Sequence, residues 1–277
     1  MRRFPPDRIV CLTEETVETL YLLGEQDRIV GVSGYAVRPP QVRREKPRVS
    51  AFTSADLPKI LALGPDLVLT FSDLQAEIAR DLVRAGIAVH AFNQRDVAGI
   101  LAMIRMLGAM VGRPEAGAAL AERLSRNVEA AREVGARLPV RPRVYFEEWD
   151  EPAISAIGWV SELIGAAGGL DVFADKARAP DATGRIVDPD QIIAAAPDVV
   201  IGSWCGKRFV PARFAARPGF AAIPAVAAGR LHEIKSPLIL QPGPAALTDG
   251  LSALQAIVSA AAQAMAGTTE LSRASAL

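Results

Sequence analysis

The sequence predicts an α/β protein of two Rossmann-like lobes with mainly parallel sheets, joined by one long backbone α-helix. Three observations carry this. Short β-branched runs alternate with longer amphipathic ones along the chain. One helix–turn–strand segment occurs twice, once in each half. Between the halves lies a helical stretch without an internal breaker. With 277 residues, half of them hydrophobic, the chain can fill two units of ordinary domain size.

The elements follow in order. Arg8–Leu12 reads as a strand, Thr16–Leu23 as a helix closed by Gly24, and Arg28–Val32 as a second strand. Ala55–Leu63 is helical, Leu67–Phe71 a strand, Gln75–Ala85 a helix stopped by Gly86, and Ala88–Phe92 a strand. A capping box between Ser72 and Gln75 is expected to open the Gln75 helix, and Val97–Val111 makes a longer one. In the second half Arg143–Phe146 reads as a strand and Val160–Ala166 as a helix stopped by Gly168-Gly169. Pro189–Ala196 is helical, and Val199–Gly202 and Leu231–Ile234 are strands. Residues 59–69 align without gaps onto 191–201, each a helix, a Pro-Asp turn and a buried strand, which argues for duplicated lobes. Leu120, Leu124, Val128 and Ala131 fall at helical spacing within 114–138, a rigid strut of about six turns. The expected division is an N-terminal lobe over 1–113, the helix over 114–138 and a C-terminal lobe over 139–277, with a small, polar, fraying tail from Met265.

Composition removes several functions. The 31 basic and 31 acidic side chains balance, so there is no electrostatic footprint for nucleic acid. No apolar run is long enough to cross a membrane. Two histidines are too few for a zinc or manganese carrier, and there is no metal-ligand cysteine pair. No phosphate-cradling glycine motif occurs, since Gly165–Gly169 ends a helix. Met1-Arg2-Arg3 resembles the charged opening of a secretory signal, but Pro5, Pro6 and Asp7 stand where its apolar stretch should be, so a cytoplasmic location is expected, or a periplasmic one if a signal has been removed.

Together, Arg8–Thr13, the Thr16–Gly24 helix with Leu22-Leu23-Gly24, Asp27–Ser33, and the repeated segment at Lys59–Leu69 resemble the helical-backbone substrate-binding proteins that serve ABC importers of cobalamin and iron–siderophore complexes. The likeness is greatest to the cobalamin-binding branch. It implies a bulky ligand, corrinoid or iron chelate, bound between two lobes, with no cofactor required. It also implies a glutamate from each lobe that docks to the importer. Pro58 and Asp190 stand at those positions, and a proline cannot make a salt bridge, which argues against the usual docking to a permease.

In open parallel sheets the ligand lies beyond the carboxyl ends of the strands. Thr13, Glu14 and Glu15 follow the first strand there, Tyr35 the second, Phe71 ends the Leu67 strand, and Asn93, Gln94 and Arg95 follow the Ala88 strand. In the second half Glu147–Glu151 form an acidic loop, Trp204, Cys205 and Lys207 follow the Val199 strand, and Lys235 and Gln241 come later. The expected ligand-binding set is Tyr35, Phe71, Glu148, Trp149, Trp204, Cys205, Lys207, Lys235 and Gln241. Trp149 and Trp204 would be a stacking wall, because a tryptophan on a wet loop exposes a large apolar face. The repeat sets Trp204 opposite Phe71, while Trp159 is read as core. The leading reading is a non-catalytic, cytoplasmic binder of a corrinoid or metal chelate, and the alternative is a conventional periplasmic subunit of an ABC importer. A cysteine-dependent enzyme built on Cys205 and Lys207 comes third, because His90 and His232 both fall inside strands.

Overall fold

The computed structural model describes residues 4–274, with side chains described through residue 267. The reading of Met1–Arg3 and the last three residues of the expected tail lie outside it. The chain divides into two compact units. Unit 1 contains residues up to Gln94, Ala98–Ser125 and Gln241–Ala245, and unit 2 contains Arg95–Val97, Arg126–Leu240 and Ala246 onward. The division thus falls inside the long helix, and Gln241 belongs with unit 1 although it stands late in the sequence.

Unit 1 is built from β1 (Ile9–Cys11), α1 (Glu14–Leu22), β2 (Ile29–Ser33), α2 (Val42–Glu45), β3 (Arg48–Ser50), α3 (Leu57–Ala62), β4 (Leu67–Phe71), α4 (Ala76–Arg84) and β5 (Val89–Phe92), then α5 (Val97–Met110) and the first part of α6 (Pro114–Gly135). Its sheet is wholly parallel in the order β3-β2-β1-β4-β5. β1 and β4 are buried throughout, as expected of strands covered on both faces. The order reverses between β1 and β4, which makes their carboxyl ends the topological switch point where such sheets bind ligands. A Cβ on Gly108 of α5 would lie 2.8 Å from the Gly117 Cα of α6, so only glycine permits this helix contact.

Unit 2 holds β6 (Arg143–Asp150), β7 (Ala153–Ser155), α7 (Gly158–Ala166), β8 (Leu170–Asp171), α8 (Pro189–Ala195), β9 (Val199–Gly202), α9 (Pro211–Ala215), α10 (Pro224–Ala227), β10 (Leu231–Glu233), α11 (Ser236–Ile239) and α12 (Leu251–Ala274). Its order is β10-β9-β6-β7, with β8 beside the start of β6 and only β7 antiparallel. α12 runs through Ala274, so the tail from Met265 is helical where fraying was expected. Its Ala, Leu, Glu and Arg are good helix formers.

The duplicated segment is repeated down to its hydrogen bonds. Asp56 caps α3 by accepting from the Lys59 N–H, and Asp188 caps α8 in a capping box with Gln191. Pro58 and Asp190 sit at matching places in the first turns of these helices, and both are exposed. At the other end Gly64 (φ +56°) and Ala196 (φ +42°) both take the left-handed conformation. The Arg8 guanidinium donates to the Leu63 and Gly64 carbonyls, and that of Arg143 to the matching Ala195 carbonyl. The Asp66 carboxylate accepts from the Arg8 N–H at 3.0 Å, and that of Asp198 from the Arg143 N–H at 2.8 Å. In both units this clamp ties the helix end to the start of the central strand.

Candidate functional site

At the carboxyl end of the unit 1 sheet, two residues separate the end of β1 from the start of α1, so Glu14 and Glu15 belong to the first turn of α1 and not to a loop. Glu14, Glu15 and Glu18 are all buried. Thr13 Oγ donates to Glu15 Oε1 at 2.7 Å. Glu18 pairs with Arg38 at 2.9 Å and accepts from the Ala245 N–H. Burial pushes the Glu14 carboxyl up to about 7 and that of Glu15 up to about 8. Gly243 lies against Glu15 so closely that a Cβ there would come within 2.5 Å of the Glu15 Cβ. Gln94, just past β5, donates to the Pro242 carbonyl at 2.9 Å. Segment 242–245 therefore covers this end of the sheet. Gln75 holds it together from within, donating to the Leu12 and Phe52 carbonyls and accepting from the Phe71 N–H. The capping box expected between Ser72 and Gln75 is thus not made: Ser72 Oγ accepts from Leu74, and the Gln75 side chain reaches past the cap. Tyr35 is half exposed just beyond β2, while Phe71 is buried.

The corresponding end of unit 2 differs from expectation. β6 continues through Asp150, so Glu147, Glu148, Trp149 and Asp150 are strand residues. Their carboxylates are answered within the unit. Glu147 is fully buried and accepts from Arg217 at 2.6 and 2.9 Å, from Trp204 Nε1 at 3.0 Å and from the Tyr145 hydroxyl at 3.0 Å. Glu148 pairs with the buried Arg185 at 2.5 Å, and Asp150 pairs with Lys207. Glu147, Glu148 and Asp150 thus form an internal set of ion pairs, and of the expected acidic loop only Glu151 is exposed in a turn. Its partners Arg185 and Arg217 lie far along the chain, where no local pattern marks them.

Trp204 is 3 % exposed and packs edge-on against Phe209, with ring centroids 5.1 Å apart. It belongs to a core cluster with Tyr145, Phe214 and Phe220. The expectation of an indole exposed as a stacking wall is corrected by this burial, and the repeat register agrees. In the gapless alignment Phe71 matches Ser203, and a slip of one residue turns a strand side chain to the other face. Trp149 is half-buried, donates to the Glu151 carbonyl at 2.9 Å, and has the Lys207 ammonium 4.0 Å from its ring centre. One face of that ring is thereby already covered. Trp159 is core, as read, with its N–H on the Ile239 carbonyl.

Beyond β9 and β10 a pocket of about 480 Å³ opens, lined by Trp204, Lys207, Arg208, Glu233, Lys235 and Ser236 among others. Lys207, Arg208 and Lys235 are all exposed there; Lys207 is paired with Asp150, and Arg208 lies 4.0 Å from the Glu233 carboxylate. Arg208 was not singled out from the sequence. Cys205 is exposed in the turn before the left-handed Gly206 (φ +76°). His90 and His232 lie in β5 and β10, and burial lowers the pKa of both. Among the described residues no group of three or more His, Cys, Asp or Glu is placed to hold a metal ion.

Comparison with known proteins agrees with this architecture. Residues 9–238 match the periplasmic binding protein family. The vitamin B12-binding protein of Vibrio cholerae is 28 % identical over 206 residues, covering 72 % of this chain and 71 % of that protein. Among solved structures, the periplasmic heme-binding protein RhuT of Roseiflexus sp. RS-1 superposes with a TM-score of 0.80 at 25 % identity, over 92 % of this chain and 99 % of that one. The periplasmic vitamin B12 binding protein BtuF of Vibrio cholerae gives 0.74 at 25 % identity, over 94 % and 99 %. The paired parallel sheets, the duplicated helix–strand clamp and the match over most of its length show that the chain belongs to the periplasmic binding protein family.

Proposed function

We propose that this protein is the ligand-recognising subunit of an ABC-type importer for a bulky metal chelate of the corrinoid or heme kind, and that it works by binding without chemistry. The observation that carries this is the cation-rich pocket of unit 2, in a chain whose relatives include vitamin B12- and heme-binding proteins. Both chelate classes carry anionic edge groups, a phosphate in one and carboxylates in the other. Lys207, Arg208 and Lys235 suit either. The periplasmic relatives favour the transport-subunit reading over a cytoplasmic, non-transporting one. Docking to a permease would use side chains other than glutamates at positions 58 and 190. The neighbouring Asp56 and Asp188 already serve as helix caps.

The test is a calorimetric titration of the full chain with cyanocobalamin and with hemin. One of them is expected to bind at micromolar dissociation constant or tighter. The double variant Lys207→Ala/Lys235→Ala should lose about tenfold and show a weaker salt dependence. If neither chelate binds below about 100 µM, the reading is wrong.

A further inference from the structure

Among the described residues of unit 1, Glu14 and Gln94 each bury a side-chain acceptor without a hydrogen-bond partner, as do the hydroxyls of Ser50 and Thr70. Glu14 is 4 % exposed and Gln94 is 7 % exposed. Glu14 Oε2 and Gln94 Oε1 both lack a hydrogen-bond partner. The Gln94 amide is oriented by its Nε2, which donates to the Pro242 carbonyl, so the oxygen is the end left over. Gln94 and the two acids that share α1 with Glu14 lie under one cover. Residue 242 holds Gln94, Gly243 presses on Glu15 and Ala245 donates to Glu18. Glu14 also opens α1 three residues past the end of β1, near the switch point between β1 and β4. A buried acceptor without a donor costs about 1–3 kcal/mol, so such a group in a native protein calls for a functional or structural reason.

We propose that Glu14 and Gln94 form an acceptor site that recognises amide N–H groups on the edge of the ligand, selecting an amide-edged chelate such as a corrinoid over a carboxylate-edged one such as heme. This rests on the chelate-binding reading above and narrows its substrate class. A primary amide offers two N–H donors and one carbonyl. A neutral carboxyl group can meet it with both an acceptor and a hydroxyl donor, and a carboxylate can accept from it. The raised Glu14 pKa supports this, because it keeps a large fraction of the group neutral near pH 7. A ligand carboxylate is poorly matched at this place: among the described residues no basic side chain acts on the Glu14 or Glu15 carboxyl, and Arg38 is engaged by Glu18. It would face the buried acids Glu15 and Glu18 as like charges or competing acceptors.

Three probes test this on the full chain: cyanocobalamin, cobalamin whose peripheral amides have been hydrolysed to carboxylates, and hemin. Wild type should bind cyanocobalamin at least about tenfold more tightly than the hydrolysed form, the ratio worth one discriminating hydrogen bond. Glu14→Leu should weaken cyanocobalamin about tenfold and erase the preference, while Glu14→Gln, which keeps an acceptor oxygen, should restore most of it. Tight cyanocobalamin binding with no preference and less than a twofold effect of Glu14→Leu would overturn the inference while leaving the chelate reading intact. Binding of hemin in place of cyanocobalamin would do the same. Failure of wild type to bind any of the three would remove the chelate reading itself. Should Glu14→Leu fail to fold, the wild-type preference between the two corrinoids decides alone.

Discussion

Trp204→Ala should damage the stability of unit 2 before it damages any binding. The indole is 3 % exposed, lies against Phe209, and sends its N–H to the fully buried Glu147 carboxylate. Truncating a buried tryptophan to alanine costs about 3–5 kcal/mol in lost burial and cavity formation. Losing a hydrogen bond to a charged group adds roughly 1.5–3 kcal/mol, although Glu147 keeps both Arg217 bonds and the Tyr145 hydroxyl. Together they come to at least about 4.5 kcal/mol, which corresponds to a fall in melting temperature on the order of 10 °C for a chain of this size. Trp204→Phe keeps most of the burial and should lose only the hydrogen-bond part. Circular dichroism melts of the three proteins, with calorimetry to follow unit 2 separately, would read the series. A Trp204→Ala melt within about 2 °C of wild type would mean that the indole is not core, and the register argument would fall with it.

Two further outcomes follow from the same geometry. Ala196 holds a left-handed conformation that its counterpart Gly64 adopts freely, so Ala196→Gly should stabilise the protein by about 1 kcal/mol and Gly64→Ala destabilise it by a similar amount, read as opposite shifts of the urea midpoint. A midpoint lowered by Ala196→Gly would count against this. Glu14 and Glu15 ionise near 4.5 when exposed and near 7 and 8 when folded, so between these values the folded state binds more protons and stability falls as pH rises. From about pH 6.5 to 8.5, above the titration of the histidines and below that of Cys11, the urea midpoint should drop steadily. Glu14→Gln should flatten the slope, and a wild-type profile that rises across this window would refute the assignment.

The sequence by itself determined the architecture, because the features that specify it are local. A β-branched run, a capping aspartate and a helix closed by a left-handed residue act within a few positions, and their recurrence at Asp56–Phe71 and Asp188–Ser203 made the duplication visible without a structure. The length of α6 and the core position of Trp159 were legible for the same reason. Only the tertiary structure decided which polar groups are satisfied. Glu147, Glu148 and Asp150 read as an open acidic loop because Arg217, Arg185 and Lys207 reach them from distant parts of the chain. Glu14 and Gln94 read as ordinary strand-end residues, and nothing nearby in the sequence shows that segment 242–245 packs against Gln94 and the α1 acids, or that an oxygen of each of the two is buried without a donor. A charge far along the chain can neutralise a carboxylate, and a distant backbone can seal it from water. Both depend on which surfaces meet, and local pattern does not encode that.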